Sequence, residues 1–153
     1  MSDDLRDLYQ EVILDHGRHP RNHRRIEDAD HSAHGENPLC GDTLTVFLKI
    51  GADGVIKDVS FDGRGCAIST ASASLMTEVI VGKTEKQAQE LFANFHALTT
   101  GGKGEPSAEF EDELDRLAVL AGVRDYPVRV KCATLAWHTL VAALKNEQKA
   151  TTE

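Results

Sequence analysis

The stretch TLTVFLKIGADGVIKDVSF, residues 43–61, decides how this chain begins to fold. Residues 43–50 and 55–61 each alternate apolar and polar side chains, and both are rich in the β-branched and aromatic residues that favour strands. Between them, Gly51, Asp53 and Gly54 are typical of a tight turn. The pattern therefore predicts a β-hairpin.

Apolar side chains recur at helical spacing in five stretches around this hairpin. They predict helices over residues 3–16, 67–81, 84–98, 108–122 and 132–146. Gly17 and Pro20 end the first helix, and Thr84 with Gln87 resembles a capping box. Residues 99–107 contain glycine and proline and predict a loop.

The order of helix, hairpin and helices predicts an α+β fold. In this fold a small antiparallel sheet of about three strands packs against several helices. Residues 28–36 are the candidate third strand, although their composition gives little support. With 41% hydrophobic residues and no repeat or linker, we expect one domain over residues 1–153, ordered to about residue 147 and followed by a short polar tail.

The chain carries 25 acidic and 17 basic residues, a formal net charge of −8. A nucleic-acid partner is disfavoured, because phosphate binding requires a concentrated positive face. The N-terminus has no basic-then-apolar signal, and no apolar run approaches the roughly 18 residues of a membrane span. We expect a cytoplasmic protein with reduced thiols and no membrane partner.

One basic cluster, RHPRNHRR, spans residues 18–25. It is either a solvated loop after the first helix or a docking patch for an acidic protein partner. The sequence leaves both interpretations open.

Three cysteines are the main candidate functional residues. They are Cys40 in NPLCGD, Cys66 in GRGCA and Cys132 in RVKCA. An odd number cannot all pair within one chain, and their wide spacing differs from that of a compact disulfide scaffold. A shared metal ion is the working hypothesis, and the alternative is that each thiol is an inert buried side chain.

The neighbours of each cysteine suit a metal-bound thiolate. Residues two apart in an extended segment point the same way, so Cys40 and Asp42 can converge across Gly41. Cys66 precedes a helix whose N-terminus favours an anion, and Cys132 is expected at the start of the last helix. Three sulfurs and one carboxylate suit zinc, and thiolates also suit an iron–sulfur cluster.

Four anionic donors around a divalent ion leave excess negative charge that nearby cations would offset. Arg64, Arg129 and Lys131 adjoin the cysteines in sequence and are candidates for this role. The seven histidines are weaker candidates as ligands. Among them His34, which is closest in sequence to Cys40, is the first choice.

Longer motifs in the chain resemble one known family, the U-type iron–sulfur cluster assembly proteins. This is the family of IscU and the N-terminal domain of NifU, and the likeness is greatest to its SufU branch. It extends over nearly the whole chain. The motifs are LYQEVILDH with PRN (residues 8–16 and 20–22), NPLCGD (37–42), GRGCAIS with ASASLMT (63–69 and 71–77) and PVRVKCATL (127–135).

Two departures separate the branches of this family. Lys131 stands where IscU-type scaffolds carry a histidine before the third cysteine, and residues 126–130 do not reproduce their Leu-Pro-Pro-Val-Lys chaperone segment. Residues 99–122 are similar to the extra segment of SufU proteins. A protonated Lys131 cannot bind metal, so Asp42 is left as the fourth donor.

The resemblance implies an IscU/SufE-like fold and a zinc site of Cys40, Asp42, Cys66 and Cys132. It implies a sulfurtransferase-type carrier in which Cys40 accepts persulfide sulfur from a pyridoxal-phosphate cysteine desulfurase of the SufS type and passes it to the cluster-building Suf complex. Arg129, with Lys131 and Arg64, would support the site or contact the desulfurase. The alternative is a scaffold that assembles a transient iron–sulfur cluster on the three cysteines, and a weaker one is a structural zinc module.

Overall fold

A computed structural model describes residues 3–102 and 107–152 of the chain. The regular elements, in chain order, are α1 (Asp3–Arg18), β1 (His31–Asn37), β2 (Asp42–Ile50), β3 (Ile56–Arg64), α2 (Ala67–Ile80), α3 (Glu85–Thr100), α4 (Glu111–Leu117), α5 (Pro127–Leu144) and β4 (Lys149–Thr151). Short 3-10 segments, Ala108–Phe110 and Ala118–Asp125, flank α4. The α+β fold class predicted from the sequence is confirmed.

The four strands form one sheet in the order β3-β2-β1-β4. β2 pairs antiparallel with β3, which confirms the predicted hairpin, and β1 pairs antiparallel with β2 over the register from His31↔Leu48 to Asn37↔Asp42. β1 therefore confirms the candidate third strand. Its outer edge pairs with β4 in parallel, so the segment expected to be a polar tail contributes a fourth strand.

The core lies between the sheet and the helices. Leu44, Val46 and Leu48 alternate along the buried face of β2, as a period of two requires. α5 packs against β1 and β2, α2 packs against α5, and α1 covers α2. Asp42 lies two residues before Leu44 and faces the same interior, where it is only 1% exposed. A carboxylate thus enters the apolar layer at the end of the sheet.

Two helix predictions are corrected by the structure. The last helix begins at Pro127, so Cys132 is its sixth residue and not its start. Pro127 fits the first turn because the missing N–H has no helical partner there. The predicted helix over residues 108–122 is divided between the two 3-10 segments and α4.

Other local predictions are confirmed. Thr84 and Gln87 form both hydrogen bonds of the capping box at the start of α3. Gly101 ends α3 in the left-handed conformation, and residues 103–106 of the predicted loop lie outside the described part of the chain. Among the described residues, no helix has the length and apolar character needed to cross a membrane.

Candidate metal centre

Four parts of the fold meet where the sheet ends against α2 and α5. Cys40 lies in the turn between β1 and β2, and Asp42 is the first residue of β2. Cys66 is the N-cap of α2, and Cys132 lies within α5. The three cysteines are unpaired, with Cys40 and Cys66 exposed and Cys132 buried.

Asp42 connects two of these elements. One carboxylate oxygen, Oδ1, accepts the backbone N–H of Cys66 at 2.9 Å. The other, Oδ2, accepts from the side-chain amide of Asn37 at 3.4 Å. A β-carbon at Gly65 would lie 2.6 Å from Oδ1, so a larger residue there would force the carboxylate or the chain before α2 to shift.

Cys40 occupies the tight connection between β1 and β2. Its N–H donates to the carbonyl of Asn37 at 3.3 Å, and Gly41 follows with a φ of 72°, which glycine adopts without strain. The Cys132 thiol lies 3.4 Å from Cys40 Sγ and donates to it. Two cysteines 92 residues apart in sequence are therefore in direct contact.

The environment of Cys132 opposes ionisation of its thiol in the metal-free protein. Burial raises the pKa of Cys132 far above its usual range. Its hydrogen bonds to Cys40 and Asp42 and the neighbouring Cys66 thiol raise the pKa further. Because a bound cation reverses this effect, the buried thiol needs a positive charge to become a thiolate at neutral pH.

The donor atoms of Cys40, Asp42 and Cys132 lie within 4.8 Å of one another. Ligands of one tetrahedral zinc ion are roughly 3–4 Å apart, given metal–ligand bonds of about 2.0–2.3 Å. Small side-chain rotations would close the difference. Two thiols and a buried carboxylate therefore fit a zinc ion in both spacing and chemistry.

Cys66 borders this group of three without belonging to it. Its Sγ accepts the N–H of Ser69 at 3.4 Å, as an N-cap side chain does. Its own N–H holds Asp42, and its thiol influences the pKa of Cys132. A side-chain hydrogen bond to Cys66 also raises the pKa of Cys132, so the predicted fourth donor lies against the buried thiol.

The three candidate cations adjoin the cysteines in sequence, and Arg64 and Arg129 are exposed. Arg129 stacks over the exposed ring of Tyr126, 5.0 Å from its centroid. Across residues 3–102 and 107–152, no ion pair or hydrogen bond links Arg64, Arg129 or Lys131 to the candidate ligands. The positive charges are therefore free to meet an external group.

Histidine takes no part in the candidate site of the described chain. His34, the first choice among the histidines, lies on β1, where it contacts Thr45 Oγ1 at 3.1 Å and Glu36 Oε1 at 3.3 Å. Its ring nitrogens are thus engaged away from the cysteines.

The basic cluster of residues 18–25 is largely engaged by its own chain. Arg21 pairs with Asp15 and Arg24 with Asp58, each at 2.7 Å. These contacts reduce the positive charge that the cluster could offer to a partner.

Asn37 is the residue of the site that sequence reasoning missed. It is fully buried, and its amide Nδ2 donates to Asp42 Oδ2 at 3.4 Å and to Cys132 Sγ at 3.6 Å. The sequence signal that could have identified it was its position as the first residue of the NPLCGD segment. An asparagine before proline suggests a turn residue, and that interpretation hides a buried contact.

The fold and the site together define a small α+β protein with a group of thiols and a carboxylate where its sheet and helices meet. The family model described as the NifU-like N-terminal domain matches residues 8–152. The chain belongs to this family.

Several relatives cover most of the chain. It is 40% identical over 138 residues to the iron–sulfur cluster assembly scaffold protein IscU of Thermotoga maritima, covering 90% of this chain and 93% of the relative. It is 36% identical over 143 residues to the zinc-dependent sulfurtransferase SufU of Bacillus subtilis, with 92% of each chain covered. The two relatives carry different functional names at similar identity.

The solved structures agree with this relationship. The crystal structure of FiSufU from Fervidobacterium islandicum AW-1, described as an iron–sulfur cluster assembly scaffold protein for the SUF system, superposes with a TM-score of 0.80. It is 36% identical, and the match covers 94% of this chain and 99% of that one. The fold is that of the IscU and SufU proteins.

Proposed function

We propose that this protein serves iron–sulfur cluster assembly as a zinc-dependent sulfur acceptor. Cys40 takes sulfur from the persulfide of a pyridoxal-phosphate cysteine desulfurase and passes it to the cluster-building complex. The observation that carries this proposal is the contact between an exposed thiol, Cys40, and a buried thiol and carboxylate, Cys132 and Asp42. The relative named as a zinc-dependent sulfurtransferase supports it.

The residues that would hold zinc are Cys40, Asp42, Cys66 and Cys132. When bound, the ion would keep the thiols ionised at neutral pH and limit their oxidation. The chain supplies the rest of the environment: Cys66 N–H and Asn37 fix the carboxylate, and the apolar layer of β2 and α5 keeps water from Cys132.

The transfer step requires an accessible nucleophile. The Cys40 thiolate attacks the outer sulfur of the desulfurase persulfide, the sulfur–sulfur bond of the donor breaks, and the desulfurase cysteine leaves as a thiolate. Cys40 becomes the persulfide, and no external oxidant or reductant is consumed. Cys132 cannot serve as the acceptor in this fold because it is 2% exposed.

The surface around Cys40 suits a protein partner. Leu39, beside Cys40, is 64% exposed, and Val128 is 51% exposed one helical turn before Cys132 on α5. Tyr126 is also exposed, with Arg129 stacked upon it. Exposed apolar and aromatic side chains with a cation at their edge are typical of an interface core with a polar rim. We assign this surface to docking of the desulfurase. We expect the sulfur transfer to take place in the reducing cytoplasm.

Sulfur transfer from the desulfurase tests the proposal directly. The protein is purified without added metal and incubated with a SufS-type desulfurase and ³⁵S-cysteine, and labelled cysteines are located by non-reducing peptide mapping. We expect near-stoichiometric zinc and label on Cys40. The variant C40S should lose the label, whereas D42A and C132A should lose both zinc and the stimulation of the desulfurase.

Three outcomes would contradict the proposal. One is a brown protein with iron and sulfide in comparable amounts and no zinc. Another is retained transfer in C40S, which would indicate a structural zinc module. The third is label on Cys66 while Cys40 remains unlabelled.

A second candidate function is a scaffold that assembles a transient iron–sulfur cluster on Cys40, Cys66 and Cys132. The relatives named as scaffold proteins favour it, as do two exposed thiols, one within the group of candidate ligands and one beside it. Anaerobic reconstitution of a zinc-free form, followed by incubation with an apo-ferredoxin, tests this role. Rapid cluster delivery by that form would favour the scaffold over the sulfur acceptor.

A further inference from the structure

Asn37 contacts three of the four candidate zinc ligands. Its amide donates to Asp42 Oδ2 at 3.4 Å and to Cys132 Sγ at 3.6 Å. Its backbone carbonyl accepts the N–H of Cys40 at 3.3 Å. Asn37 is the last residue of β1 and is paired with Asp42 in the sheet register. It is therefore located at the base of the turn that carries Cys40 and leads into Asp42.

The backbone alone does not explain an asparagine at this position. Asn37 is paired within the sheet, and its φ is not positive, so it does not use the tolerance of asparagine for left-handed turns. Its side chain is fully buried, and within the described chain its Oδ1 accepts no hydrogen bond. Burying an amide with an unpaired oxygen costs stability. The compensation present in the structure is its contact with Asp42 and Cys132.

The orientation of the amide fits this role. Asp42 offers a carboxylate oxygen and Cys132 offers a sulfur, and both accept from the one amide group of Asn37. A single NH2 group has two N–H bonds, so it serves both candidate ligands at once in a site of low polarity. Asparagine does this without a formal charge that would oppose a bound cation.

We propose that Asn37 is a positioning residue of the zinc site that holds Asp42 and Cys132 in place as a fixed pair of ligands. This inference rests on the proposed zinc site. Cys40 is linked to Asn37 only through the main chain, so its exposed side chain can move while the buried pair is retained. Asn37 thereby holds the side chains of the permanent ligands, Asp42 and Cys132, and leaves the side chain of the sulfur acceptor, Cys40, able to move.

Zinc affinity and the electronic spectrum of the cobalt form test this role. Zinc dissociation constants are measured by competition with a chromophoric chelator, and Co²⁺ is substituted to record the d–d and sulfur-to-metal bands. We expect N37A to weaken zinc binding about tenfold to a hundredfold, the range seen when groups that orient metal ligands are removed. We also expect its d–d bands to shift, because the ligand geometry changes.

Two matched variants separate positioning from folding. N37D has nearly the shape of asparagine but replaces the donor with an acceptor, so it should weaken zinc binding at least as much as N37A. N94A removes another amide, one that contacts Glu90 and Ser107 far from the cysteines in sequence. It should leave zinc affinity and the cobalt spectrum unchanged. If N37A does not fold, N37D carries the test.

The outcomes distinguish this inference from the proposed function. Wild-type affinity and spectrum in N37A, or in N37D where N37A fails to fold, would overturn the role of Asn37. Tighter binding in N37D would do the same. If the wild-type protein itself binds neither Zn²⁺ nor Co²⁺, the proposed zinc site fails.

Discussion

The carboxylate of Asp42 accepts the backbone N–H of Cys66 at 2.9 Å, which joins the start of β2 to the start of α2. This bond brings two cysteine-bearing segments together around Asp42, a residue that is 1% exposed. A carboxylate so deeply buried is stable only when its lone pairs are occupied. Hydrogen bonds from Cys66 and Asn37 occupy some of these lone pairs, and a bound metal ion would occupy another.

Adding one methyl group beside Asp42 should disturb this junction. In G65A the new β-carbon would lie 2.6 Å from Asp42 Oδ1, so the carboxylate or the chain must shift. We expect a loss of about 1–3 kcal/mol in the free energy of unfolding, as for other overpacked sites, and weaker zinc binding. Urea unfolding and chelator competition measure the two effects.

G122A is the matched control for G65A. A β-carbon at Gly122 meets nothing within 4 Å, and its φ is not in the left-handed region. Its stability should stay near that of the wild type. Equal effects of the two substitutions would contradict the close approach of Gly65 to Asp42.

Alkylation rates should separate the three cysteines in protein treated with a chelator. Cys40 and Cys66 are exposed, whereas Cys132 is buried and its raised pKa keeps it protonated. Because only the thiolate reacts, we expect Cys132 to be modified at least about tenfold more slowly than Cys40. Quantitative mass spectrometry of iodoacetamide-treated protein provides the measurement.

The same experiment on the zinc-loaded protein supplies the comparison. All three cysteines should then be protected from alkylation. After the chelator is added, Cys40 and Cys66 should become reactive before Cys132. Rapid labelling of Cys132 in the apo form, at the rate of Cys40, would show that its burial does not persist in solution.

The stability of the protein should decrease in mild acid because of His16. Burial, together with the nearby Arg21, lowers the pKa of His16, which contacts Ser74 Oγ at 2.7 Å; Glu78, 3.9 Å away, has the opposite effect. The folded protein therefore binds a proton at this site less readily than the unfolded chain. The contribution of His16 is complete above about pH 6.5, the ordinary histidine pKa, and is lost as the pH falls through the lower folded pKa.

Urea unfolding between pH 7.5 and 5 tests this dependence. H16Q cannot take up the proton and should flatten the acid side of the stability curve, while H19Q alters an exposed histidine on the same segment and serves as control. A profile in H16Q as steep as that of the wild type would assign the acid sensitivity to other groups, including His138, whose pKa is also lowered by burial.

The charge at Arg129 should promote binding of the desulfurase. Arg129 lies over Tyr126 at the rim of the exposed apolar surface, and it forms no ion pair within residues 3–102 and 107–152. We expect R129A to raise the desulfurase KM for this protein roughly threefold to tenfold and to reduce its dependence on salt. Steady-state sulfide release at several salt concentrations measures this.

R24A gives the corresponding test of the basic cluster. Arg24 already pairs with Asp58 at 2.7 Å, so its removal should leave the desulfurase KM unchanged. A larger effect from R24A than from R129A would move the docking surface to residues 18–25.

The local elements could be predicted because their signals lie within a few residues of one another. The hairpin from β2 to β3 follows from alternation and a turn, and the capping box of α3 follows from Thr84 and Gln87. The convergence of Cys40 and Asp42 was expected from a spacing of two in an extended chain, but it arises across a tight turn in which Gly41 has a φ of 72°. β4 could not be predicted, because three residues carry no periodic pattern and the strand depends on the free edge of β1.

The sequence by itself determined the α+β class, the hairpin and the positions of the first three helices, and the residue types that could bind a metal. Only the tertiary structure decided that Cys132 lies inside α5, where it is buried and in contact with Cys40. The same holds for the contacts of Asn37 with Asp42 and Cys132. Periodicity records which face of an element is buried. It does not record which distant side chains share that burial, because such contacts arise when α5 packs on the sheet and brings residues 92 or more positions apart together.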